Sequence, residues 1–509
     1  MNAKYILTVG ILLLSVVSCN DDKLNKVNPN ELSVDTFYRT GAQATAAVNA
    51  IYAALQANNL YEREYFFLHD LLSDDVESGG AQLEAARDQV LNYNFTPSNP
   101  VLLAVWRGLF RVVHRSNLVI ENVPNAEEDI SEALKSRLLG EAYFLRAWAN
   151  FDLVSMWGSV PLMSTSANTP EGRPKTPVDE IYTIILDDLD EAIERLPEQS
   201  GYGDSDRGRA SKGAARALAA RVHMFRNDHV LARPFLQAII DSDEYELVDR
   251  YLDNFEEENE NNEESIFEIQ FTTAFGTGGA WSGDGSGNPS SVTFRGQEYG
   301  ANAWRNLIPS DELVAEFETI DGGAEKDDPR NQYSFYRIGD TYNNGESVLT
   351  VDDVQGDTDK PSWRKYHNIY KRPAENTNSG INFRVIRYAD VLLMMAEVEN
   401  EVTGPAAALP YINQVRARAD VDMPPYPTAQ YPTGTVEEMR RAIIHERRVE
   451  LSAEQIRNRD LKRWRRAGHI TTVNEPNPNY IPNFDLLPIP TQEIDNNSAL
   501  TAEDQNPGH

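Results

Sequence analysis

Three kinds of side chain in this 509-residue sequence could do chemistry: carboxylates in pairs, a histidine followed by a glutamate, and aromatic rings set among amides. Asp74-Asp75 is the most pointed of the carboxylate pairs. Two carboxyls at a fixed separation across a sugar could hydrolyse a glycosidic bond. Adjacency in a chain with 79 acidic residues supplies no such geometry, so a glycoside hydrolase is a remote alternative. His445-Glu446 opens like a zinc-protease helix, but Val449 stands where the second metal ligand would be. Asp352, Asp353, Asp357 and Asp359 offer oxygens to calcium without the spacing of a calcium loop, and a solvated loop is the simpler reading. Structural Ca2+ is the one candidate ion, and no other cofactor is expected. No phosphate loop, nucleophile elbow or complete dinucleotide fingerprint is present. No catalytic residue is assigned, and the expectation is a protein that is not an enzyme.

Binding chemistry has better material. An aromatic plane covers the apolar face of a sugar while amides and carboxylates replace its water contacts. Phe275, Trp281, Phe294, Tyr299 and Trp304 lie in one irregular stretch, with Asp284, Asn288 and Asn302 as hydrogen-bonding neighbours. Trp281, between Gly279-Ala280 and Ser282-Gly283, has little apolar company to bury it and is expected as a ligand platform. Trp304 precedes Arg305-Asn306-Leu307-Ile308-Pro309 and suits core or platform equally. Earlier, Tyr61, Tyr65, Phe66 and His69 lead into Asp74, Asp75 and Glu77, a second cluster that could touch ligand or pack beneath a loop. Trp106, Trp148, Trp157 and Trp464 fall on helical apolar stripes and are expected to be structural.

The elements that must position these residues are mostly helical. Ala46, Ala47, Ala50, Ile51, Ala54 and Leu55 form one apolar stripe, and Leu103, Val105, Trp106, Leu109, Phe110 and Val113 another. A third run from Gly140 continues until Gly158 and Pro161. Further helices are expected at about 178–196, 210–226, 229–242, 387–402, 404–419 and 435–456. Alanine-rich pairs such as those around Ala214 to Ala220 resemble tetratricopeptide hairpins without a strict repeat. The expected fold is therefore mostly α: a tetratricopeptide-like helix-pair scaffold over about 36–245 and 386–470. A large, irregular, loop-rich insertion with short strands interrupts it at about 246–385, and a Pro-rich tail closes it at 471–509. Ser265 to Phe271 alternates like a strand.

Cys19, the only cysteine, ends an apolar run of about 12 residues behind Lys4, too short to span a bilayer and shaped like a secretion signal. It resembles the lipoprotein box, in which the thiol is acylated after cleavage. The expectation is a signal peptide at 1–18, a lipidated flexible tether at 19–35, and contact with a membrane through that anchor alone. Asn20-Asp21-Asp22 resembles a surface-export tag of outer-membrane lipoproteins, giving an expected location on the exterior of the outer membrane. With 47 basic and 79 acidic residues the formal charge is -32, which repels phosphate backbones and excludes nucleic acid as an expected partner.

Six segments in order carry a family likeness: GEAYFLRAWANFDLVSMWGSVPL at 140–162, the Glu264 to Phe271 strand, IRYADVLLMMAEVENE at 386–401, INQVRARA at 412–419, ERRVELSAEQIRNRDLKRW at 446–464, and LPIP with QNPG at the end. Together they resemble the SusD/RagB family of surface glycan-binding lipoproteins. The resemblance implies capture of polysaccharide or oligosaccharide and delivery to a SusC-type TonB-dependent transporter, with the site on the insertion and the early loops. Capture of peptides or glycopeptides is the alternative on the same scaffold. The scarcity of basic clusters favours a neutral glucan, starch-like or laminarin-like. On the shared helices, Arg146, Arg387, Arg447, Arg448 and Arg463 accompany Asp152, Asp390, Glu397, Glu450 and Asp460, and are expected to form interhelical ion pairs.

Overall fold

The structure is a computed structural model that describes residues 37–509 apart from 80–82, 168–170, 275–290, 472 and 474. The expectations for Cys19, the signal and tether, Phe275, Trp281, Asp284 and Asn288 lie outside the described residues.

The long helices are α1 (Gly41–Leu55), α2 (Glu64–Leu71), α3 (Pro100–Asn122), α4 (Glu132–Trp157), α5 (Val178–Arg195), α6 (Lys212–Phe225), α7 (His229–Ile240), α8 (Tyr388–Val402), α9 (Pro405–Arg416), α10 (Val436–Leu451) and α11 (Arg457–Arg466). Local sequence explains where they start. Thr40 with Gln43 and Thr435 with Glu438 form capping boxes at α1 and α10. Asn99, Ser131 and Ser211 cap α3, α4 and α6 with their side chains, satisfying donors that a helix start leaves without partners. Gly158 ends α4 at φ +72°, a conformation that glycine adopts without strain.

Successive helices pack as pairs, α3 on α4, α4 on α5, α6 on α7 and α8 on α9. Helix α8 also packs against α7 and α10, so the scaffold closes across the insertion. Ala215, Ala217, Ala219 and Ala220 of α6 are all buried, which permits this close approach. One hydrophobic cluster runs from Ala44 to Ile489, and Trp106, Trp148 and Trp157 belong to it. Trp464 is buried as well, at 1% exposure. Among the described residues no helix is long and apolar enough to cross a membrane.

The insertion is tied down by short strands: β1 (Val76–Ser78), β2 (Ser265–Ile269), β3 (Leu307–Pro309), β4 (Phe335–Tyr336), β5 (Ser362–Trp363) and β6 (Phe383–Arg387). They pair antiparallel as β1 with β3, β2 with β6 and β4 with β5. The alternation in β2 suggests one buried face, yet all five of its residues are buried. Its polar face is covered too, because Glu268 meets the buried Arg384 of β6 at 3.3 Å.

The expected ion pairs exist, with some partners exchanged. Arg447 joins Asp390 at 2.8 Å and Asp460 at 2.7 Å, and Arg463 joins Glu397 and, at 2.9 Å, Asp460. Arg387 joins Glu450 at 2.7 Å. Arg146 instead takes Asp188 of α5 at 2.6 Å, and Asp152 takes Arg459 of α11.

Candidate functional site

Helix α2, strand β1 and the segment 293–309 form one continuous unit. The β1 register sets Val76 against Pro309, Glu77 against Ile308 and Ser78 against Leu307. Just past β1, Gly79 is pressed so closely on the insertion that a Cβ there would lie 2.0 Å from the Arg305 carbonyl oxygen. The early loop and the aromatic stretch, more than 200 positions apart in sequence, thus share one support.

Several rings expected at a ligand lie inside that support. Phe294 is fully buried, its backbone N–H donating to the Glu62 carbonyl at 3.1 Å. Tyr299 is 2% exposed and sets its ring edge-on to Phe66 and Phe67. Its hydroxyl donates to Asp70 Oδ2 at 3.0 Å. Tyr65 stacks on Tyr61 with centroids 4.3 Å apart, and its hydroxyl donates to Asp152 at 2.9 Å. Phe294 and Tyr299 are thus corrected from ligand platform to core, and Tyr65, which could touch ligand or pack beneath a loop, packs; all three are buried.

Asp74 and Asp75 are corrected in the same way. Arg457 reaches Asp74 at 2.7 and 2.8 Å, and Arg448 reaches Asp75 at 2.9 Å and Asp74 at 3.1 Å. Burial alone would lift the Asp74 carboxyl, but Arg457 and Arg448 outweigh it and hold the group below its usual range. For Asp75 burial wins, and its carboxyl is raised. The pair holds α10 and α11 to the early loop through these arginines. His445 likewise faces carboxylates, its Nδ1 lying 2.7 Å from Glu316. Among the described residues no group of three or more His, Cys, Asp or Glu is arranged to hold a metal ion. Asp353 accepts from Thr350, and Asp357 pairs with Arg305 at 3.2 Å.

Two of the expected site residues remain at the surface together. Asn302 and Trp304 are half-buried on the turn 300–306. The turn is braced from several sides. The Asn302 backbone N–H donates to the Asp353 carbonyl at 2.7 Å and its side-chain amide to the Pro373 carbonyl at 2.9 Å. The Trp304 backbone N–H donates to Gln297, and Gln355 donates to the carbonyls of Ala303 and Trp304 at 2.9 and 3.0 Å. Beneath it the buried Arg305 donates to Ser362 at 2.8 Å and to the Val354 carbonyl at 2.5 Å. A turn whose backbone is held by so many bonds, with the Asn302 amide fixed as well, loses little freedom when a ligand arrives.

Sequence reasoning missed the cations that build this surface. Arg295 lies among the rings of Phe66, Tyr299, Tyr366 and Phe383, 4.8 to 5.5 Å from their centroids. Arg63 clamps Glu298 at 2.5 Å. A single arginine on an irregular segment has no periodicity to mark it, and its position directly after Trp304 is the only local hint for Arg305.

A family model described as the SusD family matches residues 263–509, and one described as starch-binding associating with outer membrane matches residues 24–224. SusD-like protein P25 of Formosa agariphila is 29% identical over 550 aligned positions, covering 99% of each chain. A SusD superfamily protein from Bacteroides vulgatus superposes with a TM-score of 0.78 at 24% identity, over 93% of this chain and 100% of its own. A laminarin-binding SusD-like protein superposes at 0.75 and 24% identity, over 93% of this chain and 100% of its own.

Proposed function

The chain belongs to the SusD family, and from that premise we propose that it holds oligosaccharide at the cell surface and passes it to a SusC-type TonB-dependent transporter. The lipid anchor on Cys19 keeps it on the outer membrane, and the ligand lies across the turn that carries Asn302 and Trp304. The observation that carries this reading is that Asn302 and Trp304, both half-buried, stand on one turn braced by hydrogen bonds. An indole face and a fixed amide match the alternating apolar and hydroxylated surfaces of a sugar. Trp281, Phe275, Asp284 and Asn288 belong to the same sequence stretch and extend the proposed platform. The laminarin-binding relative and the starch-binding family description support a neutral glucan as ligand.

Capture before transport needs only modest affinity, on the order of micromolar to millimolar, or about -8 to -4 kcal/mol. Isothermal titration with laminarihexaose and maltohexaose tests the reading. Binding to one of them, cut at least about tenfold by Trp304→Ala or Trp281→Ala with the fold intact, is expected from the loss of a stacking face. Absence of heat with every glycan tried, alongside saturable binding of a peptide, would replace the sugar with a peptide ligand. Co-purification with the transporter tests the partner.

A further inference from the structure

A cleft of about 1030 Å³ opens between α3 and the short C-terminal helix Thr491–Asn496, and it shares no lining residue with the turn 300–306. Its charge runs against that of the protein. Arg107, Arg111 and Arg173 line it, against one carboxylate, Glu493, among the described residues, in a chain whose formal charge is -32. Glu493 is already engaged, accepting from the Trp106 indole at 3.3 Å and from the Asn497 amide at 3.1 Å. Arg107 bonds to the neutral Gln492 side chain, and Arg173 to Thr165 Oγ1 at 3.3 Å and the Ala167 carbonyl at 3.0 Å. These two cations keep their charge for the cleft, whereas the scaffold arginines described above are matched to carboxylates. One turn further along α3, burial and the nearby Arg111 charge together hold the Arg115 guanidinium below its usual value.

Asn59 is a second, independent observation. It lines the cleft at 6% exposure, and its side-chain amide bonds to no other protein group among the described residues. With no protein partner, this amide is open from the cleft to a bound hydroxyl. It sits in the π-helical turn Asn58–Glu62, where Leu60 leaves helical geometry at φ -124°, ψ -120°. That turn is pressed against α3 at Gly108, where a Cβ would lie 2.7 Å from the Leu60 side chain. Such turns recur at functional sites. Leu103, Phe110 and Met163 add apolar surface to the same cleft.

We propose that this cleft is a second carbohydrate site that takes an acidic oligosaccharide. Arg107 and Arg173 hold its carboxylate or sulfate groups, Phe110 and Met163 cover its ring faces, and Asn59 meets a hydroxyl. The proposal rests on the glycan reading above, but not on the turn at Trp304. Sugar fits better than peptide because the long wall is helix α3, whose backbone groups are bonded internally and leave nothing to pair with a peptide main chain.

The test is isothermal titration of the full chain at low and high salt with hexagalacturonate, a chondroitin sulfate hexasaccharide, maltohexaose, hexaglutamate and inorganic sulfate. One acidic oligosaccharide binds saturably and more weakly at high salt, as charge-driven contact requires. Arg107→Gln lowers its affinity about tenfold through the lost charge-assisted bond, and Asn59→Leu lowers it further, while the maltohexaose response is unchanged. Arg107 is exposed, so its replacement leaves the fold intact. The proposal is overturned if neither acidic sugar binds, if binding ignores Arg107→Gln, or if hexaglutamate or inorganic sulfate binds as tightly. Acidic sugar lost in Trp304→Ala but retained in Arg107→Gln would place it on the other surface, overturning this site and leaving the glycan reading intact. No response to any sugar, neutral or acidic, would overturn both.

Discussion

Arg387 and Glu450 meet at 2.7 Å in the interior, 1% and 0% exposed, where strand β6 runs into α8 and passes α10. The pair is the centre of a network. Arg387 also holds Glu264 and Glu454 at 2.7 Å each, and Glu450 also receives Arg418 and Arg330 at 2.9 Å. Removing one member of such a network strands its partners' charges away from water. Arg387→Met is therefore expected to lower stability by about 3–5 kcal/mol. Urea unfolding followed by circular dichroism measures this, and a loss under about 1 kcal/mol would show that water reaches the network.

His445 gives a pH signature. Burial alone would lower its pKa, but Glu316 and Glu318 raise it to about 9. The unfolded side chain titrates near 6.5. Because the folded value is the higher, the stabilisation is fully present below pH 6.5 and is lost as pH rises through 9. The ceiling is about 3 kcal/mol. Unfolding free energies measured from pH 6 to 10 should fall across that window, and His445→Gln should flatten the fall.

Asp70 predicts a slope at the acid end. Its carboxyl is pushed up to about 6, chiefly by burial, with Arg295, Gln455 and Tyr299 pulling the other way. An unfolded aspartate titrates near 3.8. Between those values the folded chain keeps a proton that the unfolded chain has released. This group therefore lowers stability as pH rises from about 4 to about 6, by a ceiling of about 3 kcal/mol. Asp70→Asn keeps an acceptor for Tyr299 and should lose that segment of the profile, which chemical unfolding at pH 4, 5 and 6 would reveal.

Local chemistry made the scaffold legible. The stripe through Trp106 and Phe110 and the stop at Gly158 act over one or two turns, so the sequence displays them directly. The surface site was legible only at Trp304 and Asn302. Whether a ring is open depends on what the rest of the chain lays over it, and those partners are remote. Tyr299 meets Asp70 across 229 positions, and Asp74 meets Arg457 across 383. No window of sequence shows such a meeting. The cationic cleft was hidden for the same reason, since Arg107 and Arg173 come from separate segments and their carboxylate-poor surroundings exist only in the fold.

Gly300 offers the sharpest test of how the candidate surface is held. Its backbone lies so near the buried His367 that a Cβ would sit 1.8 Å from Nε2 of that ring. Gly300 also bridges to Trp363 and opens the turn that carries Asn302 and Trp304. The constraint is space, because its backbone angles, φ -79° and ψ 167°, are open to any residue. His367 cannot yield by moving into water. Its pKa is lowered to about 3 by burial and by Arg372, so at neutral pH it is an uncharged ring in a closed site. Gly300→Ala is expected to displace the turn and to cost about 1–3 kcal/mol as an overpacked site. Affinity for whichever glycan binds at Trp304 should fall with it. Adding His367→Ala to Gly300→Ala opens the space again, so the double variant should recover affinity even if it stays less stable than the parent. Recovery of stability without recovery of affinity would mean that the turn at Trp304 does not position the ligand.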